Sequence, residues 1–200
     1  MAQLDLFGSA PRVLAEDEGG GIVYHPQVMQ AKQAAALFTR LLSTIEWKSE
    51  RRMMYDREVD VPRLGSSVRA PDAASFGLDE ALGIAQDVTG ASFTGIGLNY
   101  YRDGHDSVAP HNDTLRELLP GAPIALLSLG ATRRMTIRSK SMPRHILDLD
   151  LDAGSLLVMS HASQFTYDHG IPKTASKVGP RISLAFRARA AVAEAAKEAS

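Results

Sequence analysis

Between Phe93 and Arg187 the chain is a succession of short apolar runs, at 93–101, 123–129, 133–138, 145–151, 155–159 and 181–187, separated by turn pairs such as Asp103-Gly104, Pro120-Gly121 and Ala153-Gly154. Runs this short are of strand length, and His145-Ile146-Leu147-Asp148-Leu149-Asp150-Leu151 alternates sides as a half-buried strand does. Several such strands joined by turns predict a β sandwich or barrel for this half of the chain.

The preceding residues have a different period. Ala34, Leu37, Phe38, Leu41, Leu42 and Ile45 share one helical face, and Leu78, Leu82, Ala85 and Val88 form a second, weaker face before Gly90. Residues 48–72 carry Lys48, Arg51, Arg52, Arg57, Arg63 and Arg69 with little periodicity and read as a surface loop or ribbon. Residues 1–21 read as an extended lead-in, Ile22-Val23-Tyr24 as a first strand, and 189–200 as an Ala-rich helix or tail. A chain of 200 residues is large enough for one self-supporting domain, expected over 22–188.

The chain contains no Cys, which excludes disulfides, zinc fingers, iron–sulfur clusters and thiolate nucleophiles, so a metal must be held by His, Asp or Glu. Lys and Arg (22) nearly balance Asp and Glu (23), so the whole-molecule field draws neither nucleic acid nor an anionic membrane strongly. Apolar runs fall far short of the roughly 20 residues that span a bilayer, and the first residues lack a basic segment. A cytoplasmic monomer without membrane contact is expected.

His111-Asn112-Asp113 is a His-x-Asp triplet, and His169 lies 58 positions on. In extended chain, side chains two apart share a face, so His111 and Asp113 could grip one ion that His169 completes. Two imidazoles and one carboxylate are the facial triad of non-haem Fe(II) oxygenases; the bland alternative is a loop pair that caps a turn. In Arg181-Ile182-Ser183-Leu184-Ala185-Phe186-Arg187 the apolar residues share one strand face and Arg181, Ser183, Ala185 and Arg187 the other. Two arginines leaning toward one small ligand suit a dicarboxylate, although edge arginines facing water are the commoner case. Asn99 and Tyr101, also two apart, could add neutral hydrogen-bond donors.

Taken together, Asn99 to Gly104, His111-Asn112-Asp113, Pro123 to Arg133, Gly154 to Met159, His169 to Lys173 and Pro180 to Arg187 resemble the AlkB family of Fe(II)/2-oxoglutarate dioxygenases, with the motifs in family order. Residues Arg57 to Leu64 resemble the segment that carries the family's nucleotide-recognition lid, placed at about 48–72. The resemblance implies an α+β, mainly β fold: a double-stranded β-helix, or jelly roll, with a core over about 93–187 and supporting amino-terminal helices. It implies His111, Asp113 and His169 as catalytic iron ligands. It also implies a 2-oxoglutarate site at Arg181, Asn99 and Tyr101, with Ser183 between the arginines and Arg187 near the carboxylate at the metal. Fe(II), 2-oxoglutarate and O2 would support oxidative removal of N-methyl groups, with release of succinate and formaldehyde, from alkylated DNA or RNA bases.

The motifs depart from the family pattern in three places. Thr114, Leu115 and Arg116 follow the triplet where repair enzymes carry acids, Ser183 replaces a common Asn, and Gly65-Ser66-Ser67-Val68 replaces an aromatic lid motif. Leu115 cannot read a base edge, so the same iron chemistry on a protein side chain or a small molecule is the second expectation, and a binding module without turnover the third. Phosphate contacts are expected from the lid arginines and from Arg133, Arg134, Arg138, Lys140 and Arg144, with Trp47 or Tyr55 stacking on a base. His25, His105, His145 and His161 read as ordinary loop histidines.

Overall fold

In chain order the elements are β1 (Arg12–Ala15), β2 (Ile22–His25), α1 (Ala31–Thr44), β3 (Lys48–Met54), β4 (Arg57–Arg69), a 3-10 segment (Ala70–Phe76), α2 (Asp79–Thr89), β5 (Gly95–Tyr101), β6 (Val108–His111), a 3-10 turn (Leu115–Glu117), β7 (Ile124–Gly130), β8 (Arg133–Ser139), β9 (Ile146–Leu151), β10 (Leu156–Met159), α3 (Ser163–Thr166), β11 (Tyr167–Ile171) and β12 (Arg181–Arg187). This computed structural model describes residues 10–54 and 57–189, and of 50–54 and 57–60 the backbone alone. The first nine residues, Tyr55 and the Ala-rich tail beyond Arg189 lie outside the described residues, as do the side chains of Arg51, Arg52 and Arg57.

The strands form two antiparallel sheets, one in the order β1-β2-β10-β7-β12-β5-β4-β3 and a smaller one in the order β6-β11-β8-β9. Facing sheets with these crossovers form a jelly roll, as the family resemblance implied. Central strands β7 and β12 are buried along nearly their whole length because both of their faces are covered. On one face Leu127, Leu129, Ile182, Leu184 and Phe186 meet Leu37 and Leu41 of α1 and Ala81 and Ala85 of α2. On the other, Ile124, Leu126 and Ala185 meet Met135, Ile137, Leu149 and Ile171 of the small sheet. The alternation along β12 therefore sends its apolar residues to the helices and its arginines into the barrel.

Helix α1 begins where Gln30 and Gln33 cap one another, the Gln30 backbone N–H donating to Gln33 Oε1 at 3.1 Å, and it ends at the extended residue Ile45. Both helices match the periodicity read from the sequence. Three strands, β1, β6 and β11, are not foreseen by it. Within the extended lead-in, residues Arg12–Ala15 pair with β2 as a strand, stabilised by Asp17, whose carboxylate accepts from Gly19 N, Gly21 N and Ser160 Oγ. Of the loop or ribbon expected over 48–72, residues 48–69 form the ribbon, two-stranded and joined to the large sheet through β5. Short strands β6 and β11 escaped the sequence pattern because each has only four or five residues and carries Pro110 or Gly170.

Candidate metal centre and co-substrate pocket

Strands β6 and β11 pair antiparallel with His111 directly opposite His169. Directly paired residues share a sheet face, and the two imidazole centroids are 4.6 Å apart. Such close approach depends on Gly170, where a Cβ would come within 2.9 Å of the Val108 carbonyl oxygen; the register shifts at this point, and the bulge aims His169 inward. Asp113 follows β6 immediately, its backbone N–H donating to Oε1 of the buried Gln164 at 3.0 Å. One ligand atom each from His111, Asp113 and His169 lies within 4.8 Å of the others, so the three can hold one ion. No other histidine joins this cluster among the described residues.

Asp113 and His169 are in the protonation states that a metal requires. His111 Nδ1 lies 2.9 Å from the Ala109 carbonyl, which can only accept, so Nδ1 donates and Nε2 is the nitrogen left for a metal. Burial, followed by the repulsion of His111, pushes His169 down to about 4, so it is neutral at pH 7. Burial by itself would raise the pKa of Asp113, but hydrogen bonds and charge from Arg187, with smaller help from both histidines, hold it below the ordinary carboxylate value. Arg187 grips Asp113 with both arms of its fork, Nε to Oδ2 at 2.6 Å and Nη2 to Oδ1 at 3.0 Å. Each carboxylate oxygen keeps a second lone pair for a cation. Arg187 reaches this position past Gly97, where a Cβ would stand 3.1 Å from Nη1.

Arg181 lies at the other end of β12's inward face, opposite Tyr101 in the register, and it is 1% exposed. Its Nη2 donates to Ser128 Oγ at 2.9 Å, while Nε and Nη1 are buried without an acceptor. A buried guanidinium with two open donors is costly unless an anion completes it. Asn99 is two residues from Tyr101 and accepts at Oδ1 from Arg63 Nε at 2.8 Å, which leaves its amide N–H groups to donate. The open donors, together with the Tyr101 ring 5.2 Å from the Arg181 guanidinium carbon, fit a carboxylate. Ser183 pairs in register with both Asn99 and Ser128 and lines the same space.

A cavity of about 1570 Å³ joins the His-Asp-His cluster to this pocket and reaches Val61 and Arg63 of the ribbon. Thr114 and Glu117 line it after the triplet, whereas Leu115, in the 3-10 turn between them, does not. Several expected phosphate contacts are occupied within the protein. Arg133 is 2% exposed and bonded to three backbone carbonyls. Arg134 pairs with Asp150, Arg69 with Asp72, and Lys140 donates to Asn112 and the Gln164 carbonyl. Trp47 packs on Tyr100 with ring centroids 5.2 Å apart, and its Nε1 is buried. Arg144 stays exposed in the β8–β9 turn. The sequence reading did not single out Ser128 or Gln164. The inward alternation of β7 could have signalled Ser128, but nothing local marks Gln164 on its four-residue helix.

Residues 71–187 match the family model described as the 2OG-Fe(II) oxygenase superfamily. The human DNA oxidative demethylase ALKBH2 is 39% identical over 107 residues, which is 50% of this chain and 41% of that protein. The mouse alpha-ketoglutarate-dependent dioxygenase alkB homolog 3 is 36% identical over 110 residues, 51% of this chain and 38% of that protein. The matches thus span about two fifths of these relatives' length. A crystal structure of the non-heme alpha ketoglutarate dependent epimerase SnoN from nogalamycin biosynthesis superposes with a TM-score of 0.58 at 16% identity, covering 84% of this chain and 78% of that one, a likeness of fold. The chain belongs to the 2OG-Fe(II) oxygenase superfamily.

Proposed function

We propose that the protein is an Fe(II)- and 2-oxoglutarate-dependent dioxygenase that removes N-linked alkyl groups from nucleic-acid bases. The observation that carries this reading is the pairing of the His111/Asp113/His169 cluster with the two open donors of Arg181 in one cavity. Bound iron and 2-oxoglutarate would supply the oxidation of a C–H bond by O2, coupled to decarboxylation of the co-substrate to succinate.

The residues of the chain supply position and exclusion. His111, Asp113 and His169 would hold the metal. Arg187 keeps Asp113 ionised and oriented, and Gln164 fixes the backbone behind it. Arg181, with Ser128, Asn99 and Tyr101, would hold the distal carboxylate of the co-substrate and so orient it in the cavity. The ribbon β3–β4 walls the cavity opposite the barrel, where a base drawn out of its stack would lie. The names of the AlkB-family relatives favour a nucleic-acid substrate. The occupied arginines favour one held by few phosphate contacts, such as a single strand.

The test is formaldehyde release with Fe(II), ascorbate and 2-oxoglutarate on N-methylated single-stranded DNA, duplex DNA and RNA. Release from one or more of them supports the reading. Turnover of 2-oxoglutarate that none of them stimulates moves the substrate to a protein side chain or a small molecule, and absence of all turnover removes the dioxygenase reading itself.

A further inference from the structure

Resting on that reading, we propose that Arg133 is a positioning residue for the co-substrate: a second buried positive charge beside Tyr101 that draws the distal carboxylate of 2-oxoglutarate onto Arg181. Arg133 opens β8 and is 2% exposed. Its Nη1 donates to the Asp103 carbonyl at 2.7 Å, and its Nη2 donates to the carbonyls of Asp106 and Pro172, both at 2.9 Å. These partners satisfy its hydrogen bonds but carry no net charge, so the guanidinium is held without being neutralised.

The nearby acids Asp106 and Asp103 attract it, but they offset its charge only in part, because neither carboxylate is bonded to it. Asp106 is gripped by Arg102, whose Nε and Nη2 donate to its two oxygens at 2.8 Å. Asp103 is exposed, and its Oδ1 accepts from His105 N. Meanwhile the Arg133 guanidinium carbon lies 5.7 Å from the centroid of the Tyr101 ring, the same ring that the Arg181 guanidinium approaches at 5.2 Å. Two buried guanidiniums therefore share one aromatic ring, and among the described residues neither forms an ion pair with a carboxylate. Their mutual repulsion is relieved when an anion enters between the open donors of Arg181 and the edge of that ring. In a site screened from water, a charge that touches no ligand atom still contributes to anion affinity.

A purely structural role is the rival. The three carbonyls belong to the segment leading into β6 and to the residue just after β11, the strands that bear His111 and His169. If Arg133 served only to tie those segments, its loss would loosen the metal cluster. Charge and tethering are separated by comparing Arg133→Gln, which keeps donors and loses charge, with Arg133→Lys, which keeps charge and loses the fork.

Both variants and the parent are titrated calorimetrically with Mn(II) alone and then, Mn(II)-loaded and without oxygen, with 2-oxoglutarate. Expected are a loss of about tenfold or more in 2-oxoglutarate affinity for Arg133→Gln, Mn(II) affinity within about threefold of the parent, and recovery in Arg133→Lys to within about fivefold. Equal losses in the two variants, an unchanged Gln variant, or Mn(II) affinity falling in parallel would overturn the proposal. If the Gln variant does not fold, the Lys variant decides alone, a loss of 2-oxoglutarate affinity greater than about fivefold counting against the charge. Failure of the parent itself to bind 2-oxoglutarate overturns the dioxygenase reading instead.

Discussion

Acidification should destabilise the metal-free protein through one imidazole. His169 is 5% exposed and titrates at about 4 in the folded chain, against an ordinary value of 6.5. Between those values the unfolded chain binds a proton that the folded chain refuses, so the contribution is intact above pH 6.5 and is lost as pH falls toward 4. At 1.36 kcal/mol per pKa unit, the loss from this residue between pH 7 and pH 4.5 is about 2 kcal/mol. Burial lowers His25 as well, and it acts in the same direction, whereas Asp113, held below 3.8, gives up its contribution only at lower pH. The comparison must therefore be with His169→Gln, which removes the titrating group and leaves His25. Urea unfolding of both proteins, with a chelator present, at pH 7 and pH 4.5 makes the measurement. The parent should lose about 2 kcal/mol more than the variant. Equal losses would mean that His169 protonates freely in the folded chain, which would refute the description of its surroundings as dry and ready for a metal.

Three further substitutions probe the supports of the site. Arg181→Met removes a buried charge whose donors are half open, so it should leave the ligand-free protein as stable as the parent or more so, by up to about 2 kcal/mol, while abolishing the rise in melting temperature on adding 2-oxoglutarate; a strongly destabilised variant that still responds to 2-oxoglutarate would count against the pocket. Gly97→Ala places a methyl 3.1 Å from Arg187 Nη1 and should shift the fork off Asp113, weakening Mn(II) binding about tenfold, as loss of an outer partner does, with unchanged Mn(II) affinity as the contrary result. Gln164→Leu leaves the buried Asp113 N–H without its acceptor, which should cost about 1–3 kcal/mol in urea unfolding and weaken Mn(II) binding as well; loss of stability with intact metal affinity would limit Gln164 to the scaffold.

The parts of the molecule legible in the sequence are those in which one periodicity runs long enough to be read. Strand β12 declared both its faces through the alternation of Arg181, Ser183, Ala185 and Arg187 with Ile182, Leu184 and Phe186, and α1 did so through Ala34, Leu37 and Leu41. Strands β6 and β11 could not be read in this way, because their few residues are chosen for the metal cluster and for close approach rather than for an apolar face. Spacing brought His111 and Asp113 to one face, but only the pairing of His111 with His169 across the small sheet joins the third member. Arginine counts misled for a related reason. A guanidinium in a sequence looks the same whether it meets phosphate, a carboxylate or three backbone carbonyls, and Arg133 meets the carbonyls. Leu115 and Glu117 show the same limit at the scale of one 3-10 turn, of which Glu117 lines the cavity and Leu115 does not.

Whether the His-Asp-His cluster is an iron site serving 2-oxoglutarate is decided by conversion of labelled 2-oxoglutarate to succinate by the purified parent and Asp113→Ala, each supplied with Fe(II), ascorbate, oxygen and a methylated single-stranded oligonucleotide. The expected result is succinate from the parent, with formaldehyde in step, and a loss of at least about a hundredfold in the variant, as befits a ligand of the metal. Succinate formed equally by both proteins, or by neither, would contradict the assignment of His111, Asp113 and His169 as an iron site serving 2-oxoglutarate.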